Sequence, residues 1–178
     1  MTRDEEINAL VEKRDFSTAQ AVATDWTRAA PCDSTAWTRL AFTLKLQRSY
    51  DAAAKAAQTA IELAPAEPGL WMDLGMIRYL KHDFDHAAEA FGHALVAGEA
   101  LNAMYYEDAA TLCRSIALLK ANRVDEADRA LAKVTSADAE MWLDKHFTLA
   151  DVRAEIQRRM LLDVAKSKHI KRKPGNDH

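Results

Sequence analysis

One short phrase recurs at a fixed interval: "KRDFSTA" at residues 13–19, "QRSYDAA" at 47–53 and "KHDFDHA" at 81–87, each 34 residues from the next. A chain built this way stacks copies of one supersecondary unit, because a single copy cannot bury its apolar face alone. The residues between the copies say which unit it is. Trp37, Leu40, Ala41 and Leu44 fall at i, i+3, i+4 and i+7, one face of a helix. Tyr50 and Asp51 follow a short polar break, and Ala53, Ala57, Ala60 and Ile61 then mark a second helix closed by Pro65. Trp71, Leu74 and Gly75, followed by Phe84, Ala87, Phe91, Ala94 and Leu95, repeat the scheme. Each unit is therefore a helix, a tight turn and a second helix.

This pattern resembles the tetratricopeptide repeat family, whose signature is W-x2-L-G-x2-Y, then A-x3-F, then P in a unit of about 34 residues. The match is closest over residues 34–101. Trp37, Leu40, Ala41, Ala53, Ala60 and Pro65 carry it in one unit, and Trp71, Leu74, Gly75, Phe84, Ala87, Phe91 and Ala94 in the next. Small Ala41, Ala53, Gly75 and Ala87 let paired helices approach closely, while the aromatic residues fill the gaps between units. The departures are Leu44 and Arg78 in place of tyrosine, Ala57 in place of a large aromatic, and Glu99 where a closing proline is usual. The resemblance implies an all-α fold, a right-handed α-solenoid of antiparallel helix pairs with a C-terminal capping helix.

The flanks are weaker copies. Residues 2–33 keep Phe16, Ala19, Ala23 and Pro31 in register, but Glu6 and Ile7 stand where the next unit has Leu40 and Ala41. A fourth unit places Val124, Ala127, Leu131 and Val134 at an offset of 40, which implies six extra residues around Asn102 to Glu107. The expected units are about 2–33, 34–67, 68–101 and 108–137. Thr148 and Asp151 form a variant capping box opening a helix over 148–165, with Leu149, Val152, Ile156, Met160 and Val164 as its apolar stripe. Such a helix covers the exposed end of a repeat stack. Residues 1–165 read as a single domain and 166–178 as a basic, disordered tail.

Composition agrees and narrows the setting. Five glycines and four prolines are few, and alanine is abundant, which favours helices. Cys32 and Cys113 match no disulfide or zinc spacing and read as reduced thiols, so the expected location is cytoplasmic. No stretch reaches the roughly 18 uninterrupted apolar residues of a membrane span, and the charged start has no signal-peptide core. The net charge of −3 divides into −7 for residues 1–165 and +4 for residues 166–178. An acidic body argues against nucleic acid as a ligand. The basic tail reads as a frayed, solubilising end rather than a membrane or RNA contact.

The first helix of every unit faces the concave side of such a stack. Its free side shows Thr38, Phe42, Lys45 and Leu46 in the second unit; Met72, Met76, Tyr79 and Leu80 in the third; and Leu112, Ile116 and Leu119 in the fourth. These helices are apolar on two faces, and stacking requires only one. Something must cover the other: a partner segment, the chain's own C-terminal helix, or a second copy. Family members that grip acidic peptides do so with inward lysines, arginines and asparagines. Here that side offers Asp4, Asn8, Arg39, Phe42, Asp73 and Met76, and the carboxylate clamp is missing. The expected function is non-catalytic: an adaptor or chaperone that binds an apolar helical or extended segment of another protein in this groove. Two alternatives are a secretion-chaperone-like protein shielding hydrophobic cargo, and a structural subunit that self-assembles, with a homodimer as its simplest form.

No constellation points to catalysis, and no cofactor is implied. His86, Glu89 and His93 share one side of a helix but lack the HExxH spacing and read as a solvated face, so no metal is expected. Asp4, Glu5 and Glu6 sit in a first helical turn, where carboxylates favour the dipole. Cys113 lies in an apolar helix and reads as packing. No nucleophile elbow, phosphate loop or dinucleotide fingerprint occurs.

Overall fold

The computed structural model describes residues 1–102 and 107–170. The described chain forms α1 (Arg3–Glu12), α2 (Phe16–Ala29), α3 (Ser34–Leu46), α4 (Tyr50–Leu63), α5 (Pro68–Leu80), α6 (Phe84–Ala100), α7 (Glu107–Lys120), α8 (Val124–Leu131), β1 (Glu140–Trp142), β2 (His146–Thr148) and α9 (Leu149–Ile170). The helices α1 to α8 pair in sequence order and each pair packs on the next, giving an all-α solenoid. Of the six-residue insertion expected around Asn102 to Glu107, residues 103–106 lie outside the described residues.

The repeated phrase turns out to be a helix-ending device. Arg14, Arg48, His82 and Asn122 each sit in the left-handed region, at φ 59, 59, 66 and 62°. At Arg48 the amide donates to the Lys45 carbonyl and the next amide, of Ser49, to that of Leu44; the same two bonds recur after α1, α5 and α7. This is the Schellman motif, which satisfies the last carbonyls of a helix and reverses the chain within a few residues. The sequence showed a turn here, and the backbone shows that the second residue of each phrase carries the reversal.

A second repeated contact fixes the joints between units. The indole N–H of Trp37 donates to the Pro31 carbonyl at 2.8 Å, and that of Trp71 to the Pro65 carbonyl at 3.0 Å. Each tryptophan thus ties its own helix to the linker six residues before it. The closing proline and the tryptophan of the signature are partners.

Burial follows the small residues. Ala41, Ala53, Ala56, Ala57 and Ala60 pack with Leu44, Ile61, Leu70, Leu74 and Ile77 in the middle of the stack. Gly75 on α5 makes room for the fully buried ring of Phe91 on α6: a methyl group there would stand 2.5 Å from Phe91 Cε1. The weak first unit has a smaller core of Ile7, Ala19 and Ala23, backed by Leu10, Val11, Val22, Trp26 and Leu40. Where Glu99 replaces a closing proline, α6 runs on to Ala100 and reaches 17 residues against 14 for α2 and α4.

Two features after the fourth unit differ from the expectation. The strands β1 and β2 form an antiparallel hairpin, pairing Glu140 with Thr148, Met141 with Phe147 and Trp142 with His146, where no strand was expected. The capping helix begins where Thr148 and Asp151 predict it, with the Asp151 amide donating to Thr148 Oγ1 at 3.1 Å and the Thr148 amide to Asp151 Oδ2 at 3.2 Å. It continues to Ile170, past the expected boundary at 165. Of the expected tail, residues 171–178 lie outside the described residues.

Candidate functional site

The apolar inner face is divided in two by the chain's own C-terminus. Leu112, Ile116 and Leu119 of α7, with Met72 and Tyr79 of α5, belong to one buried cluster with Phe147, Leu149, Val152 and Ile156. The hairpin alternation explains why: Phe147 is buried in this cluster and Met141 and Leu143 pack against it, whereas Glu140 and Trp142 stay exposed and His146 half-buried. Tyr79 donates its hydroxyl to Asp144 Oδ1 at 3.0 Å, closing the tip of the hairpin onto α5. Burial, then this bond to a carboxylate, push the phenol well above its usual range. At the other end Arg159 of α9 donates to the Leu119 carbonyl at 2.6 Å.

The expected groove is therefore corrected at five of its eleven positions. Met72, Tyr79, Leu112, Ile116 and Leu119 are buried residues of the chain's own core, because the segment 139–156 supplies the apolar cover that stacking left wanting.

The remaining six, Thr38, Phe42, Lys45, Leu46, Met76 and Leu80, stay partly exposed. Thr38 spends its hydroxyl on the Ser34 carbonyl at 2.9 Å. Lys45, Leu46, Met76 and Leu80 converge with Arg48, Tyr50, Trp142 and Leu143 on an open cavity of about 280 Å³. The Lys45 ammonium lies 5.2 Å from the centre of the Phe42 ring, within cation–π range. Trp142 is 70% exposed, yet its ring is steadied by His146, 4.9 Å away between centroids, which in turn meets Glu140 Oε2 at 3.0 Å. An ordered, exposed indole beside an apolar cavity is the feature the sequence reading missed. Its signal was the alternation of "EMWLDKHFT", where Asp144 and Lys145 make the turn between two short runs of period two.

Towards the N-terminus the same face becomes polar. Arg39 pairs with Asp4 and also donates to Asn8 Oδ1 at 3.3 Å. Half-buried Asp73 has its carboxyl raised above the usual range by burial, against the opposing pull of Lys45 and Arg39.

The other candidate residues do not converge. His86 meets Asp83 Oδ1 at 2.7 Å, whereas His93 stacks on Trp71 with centroids 4.5 Å apart. Cys113 is fully buried, and burial pushes its thiol up to about 12, which leaves it protonated and unreactive at neutral pH.

No family model matches the chain, and no curated protein is similar to it. Solved structures are similar. The TPR2B domain of yeast Sti1, in its pHsp70 complex, aligns over 68% of this chain and 94% of its own, with 18% identity and a TM-score of 0.61. The Sgt2 TPR domain from Aspergillus fumigatus aligns over 77% of this chain and 85% of its own, with 22% identity and a TM-score of 0.59. The chain has a tetratricopeptide-repeat fold. MamA matches it over 72% of this chain and 71% of its own, with 19% identity and a TM-score of 0.62. The chain spans 45% of the longer TPR2AB structure of yeast Sti1. Within this tetratricopeptide fold the hairpin and the first half of α9 fill one part of the concave face and border the other.

Proposed function

We propose that the protein is a non-catalytic interaction module that takes an apolar helical or extended segment of a partner protein into the open half of its concave face. The observation that carries the reading is Trp142, held in place and exposed at the mouth of a cavity floored by Leu46, Met76, Leu80 and Leu143. Tryptophan buries a large area at little conformational cost and is over-represented among residues that dominate binding energy. Lys45 and Arg48 stand at the rim and, among the described residues, no carboxylate lines the cavity, so the favoured segment carries an acidic residue beside its apolar ones. Two similar tetratricopeptide domains of yeast Sti1 are seen in complexes with pHsp70 and pHSP90, which supports the same class of work here. Cys32 and Cys113 are free thiols, which fits a reducing, cytoplasmic setting. Among the described residues no helix is long and apolar enough to cross a membrane.

Peptides enriched from a random library on the full chain provide the test, with affinities measured by calorimetry on variants. Trp142→Ala and Met76→Glu should each weaken binding by at least about tenfold, the second because a carboxylate on the cavity floor replaces an apolar contact and competes with the segment's acidic residue for Lys45 and Arg48. Helicity should be unchanged in both. Peptides that bind both variants as well as wild type would place the contact elsewhere and overturn the reading.

A further inference from the structure

A second open cavity, of about 350 Å³, lies where α6, α7 and α8 meet, and it shares no lining residue with the one beside Trp142. Its walls carry three cations: Arg114 of α7, Arg129 of α8 and Lys133 just beyond α8. Among the described residues the lining holds one carboxylate, Glu126. Arg123 already grips it, donating from Nε at 2.7 Å and from Nη2 at 2.8 Å, and a bidentate pair of this kind satisfies both oxygens. Arg114, Arg129 and Lys133 form no ion pair among the described residues. The cavity therefore keeps a surplus of two positive charges, although residues 1–165 together carry −7.

Arg114 is the residue that calls for a ligand. Its Nε is buried and, among the described residues, has no acceptor. The guanidinium lies against α6 where Gly92 leaves room, since a Cβ at that position would stand 3.7 Å from both Nε and Cζ. An exposed arginine is content with water, but this one is half-buried, and a charge partly withdrawn from water without a counter-charge is destabilising. Arg129 spends its Nε on the Asp125 carbonyl at 3.2 Å, which leaves its two terminal nitrogens unspent. Two planar forks and one ammonium thus line a single cavity.

We propose that this cavity binds a dianionic phosphate monoester. Two charges and three terminal oxygens match the surplus of two and the donors of two guanidinium groups, whereas one carboxylate would neutralise half of it. Leu95 and Leu118 supply an apolar wall for the carbon part of the ester. The volume sits near the lower end of small-ligand sites, which run from about 300 to 1,000 Å³. A long polyanion such as nucleic acid would extend past these three cations over an acidic body, which disfavours it. The ester is either a free small molecule or a phosphorylated side chain of another protein, and the test separates the two.

Amide chemical-shift titrations of the isotope-labelled full chain provide that test. The probes are glycerol phosphate and a degenerate peptide library with one fixed phosphoserine. Glycerol and the same library with serine or glutamate at the fixed position are the controls, all at equal ionic strength. At least one phosphorylated probe should bind about tenfold or more tightly than its controls, with the largest shifts around Arg114, Arg129 and Lys133. A preference for the phosphopeptides assigns the protein source, and glycerol phosphate binding as well or better assigns the free ester. Arg129→Gln and Lys133→Gln, both exposed and so neutral in thermal melts, should each weaken binding by about threefold to tenfold. Arg114→Lys, which keeps the charge and loses the fork, should weaken it by about tenfold. Failure of both phosphorylated probes to bind overturns the proposal. So does glutamate matching phosphoserine, or binding unchanged in the Arg129 and Lys133 variants.

Discussion

Alanine normally stabilises a helix relative to glycine by about 1 kcal/mol, yet Gly75→Ala should destabilise this protein. The Cβ it adds to α5 would lie 2.5, 2.6 and 2.9 Å from Phe91 Cε1, Cδ1 and Cζ, where ordinary carbon contacts are about 3.5–4.0 Å. Phe91 is fully buried between α5 and the alanine-rich core, so its ring cannot swing into solvent to relieve the clash. Forcing a methyl group into such a site costs about 1–3 kcal/mol, and the clash here is severe enough to outweigh the gain in helix propensity. The expected net loss is roughly 1–2 kcal/mol, a fall in melting midpoint of about 2–8 °C for a chain of this size. Gly92→Ala on α6 is the matched control. Its new Cβ would find only Arg114 atoms at 3.7 Å or beyond, an ordinary contact, so the propensity gain of about 0.5–1 kcal/mol should appear as added stability. Urea unfolding followed by far-UV circular dichroism measures both. A Gly75→Ala protein as stable as wild type would refute the packing of α5 on α6 described above, whereas two variants shifted in the same direction would show that propensity alone governs these sites.

Three further outcomes are expected. Arg48→Gly should raise stability by about 0.5–1 kcal/mol in the same unfolding assay, since this exposed residue sits at φ 59°, where glycine is at ease and a side chain is strained. Hydrogen bonds from Arg158 and Arg159 hold the Glu155 carboxyl down at about 2, against an ordinary 4.5. Its folded-state value being the lower one, this contribution is complete above about 4.5 and is lost as pH falls towards 2. Melts of wild type should therefore drop more steeply through that window than those of Glu155→Gln, and parallel curves would show the pairing to be without effect. A thiol reagent should label Cys32 at once in the native protein and Cys113 only after unfolding; rapid labelling of both would contradict the burial of α7.

Local chemistry repeated along the chain was legible without the structure. The period of 34, the paired helical faces, the small residues at close approaches and the Thr148–Asp151 cap depend on neighbours a few residues away, and sequence spacing reports these directly. Glu99 was legible as a missing proline, but that α6 itself runs on to Ala100 is seen only in the structure. The identity of what covers an apolar face is a different kind of fact. Phe42, Met76, Leu112 and Ile116 look alike in the sequence, each an apolar residue on the free side of a first helix. Only the hairpin at 140–148 and the start of α9 separate them, gathering Leu112 and Ile116 into one buried cluster with Phe147 and Val152 while Phe42 and Met76 keep access to solvent. That contact joins residues far apart in the chain through a strand pair too short to stand by its own propensity, and the surface it packs on had to be in place to define it. The same holds in reverse for α9. Its stripe is continuous from Leu149 to Val164 in the sequence, but the stack beneath it ends near Leu119, so packing rather than pattern decides which half is core and which is surface.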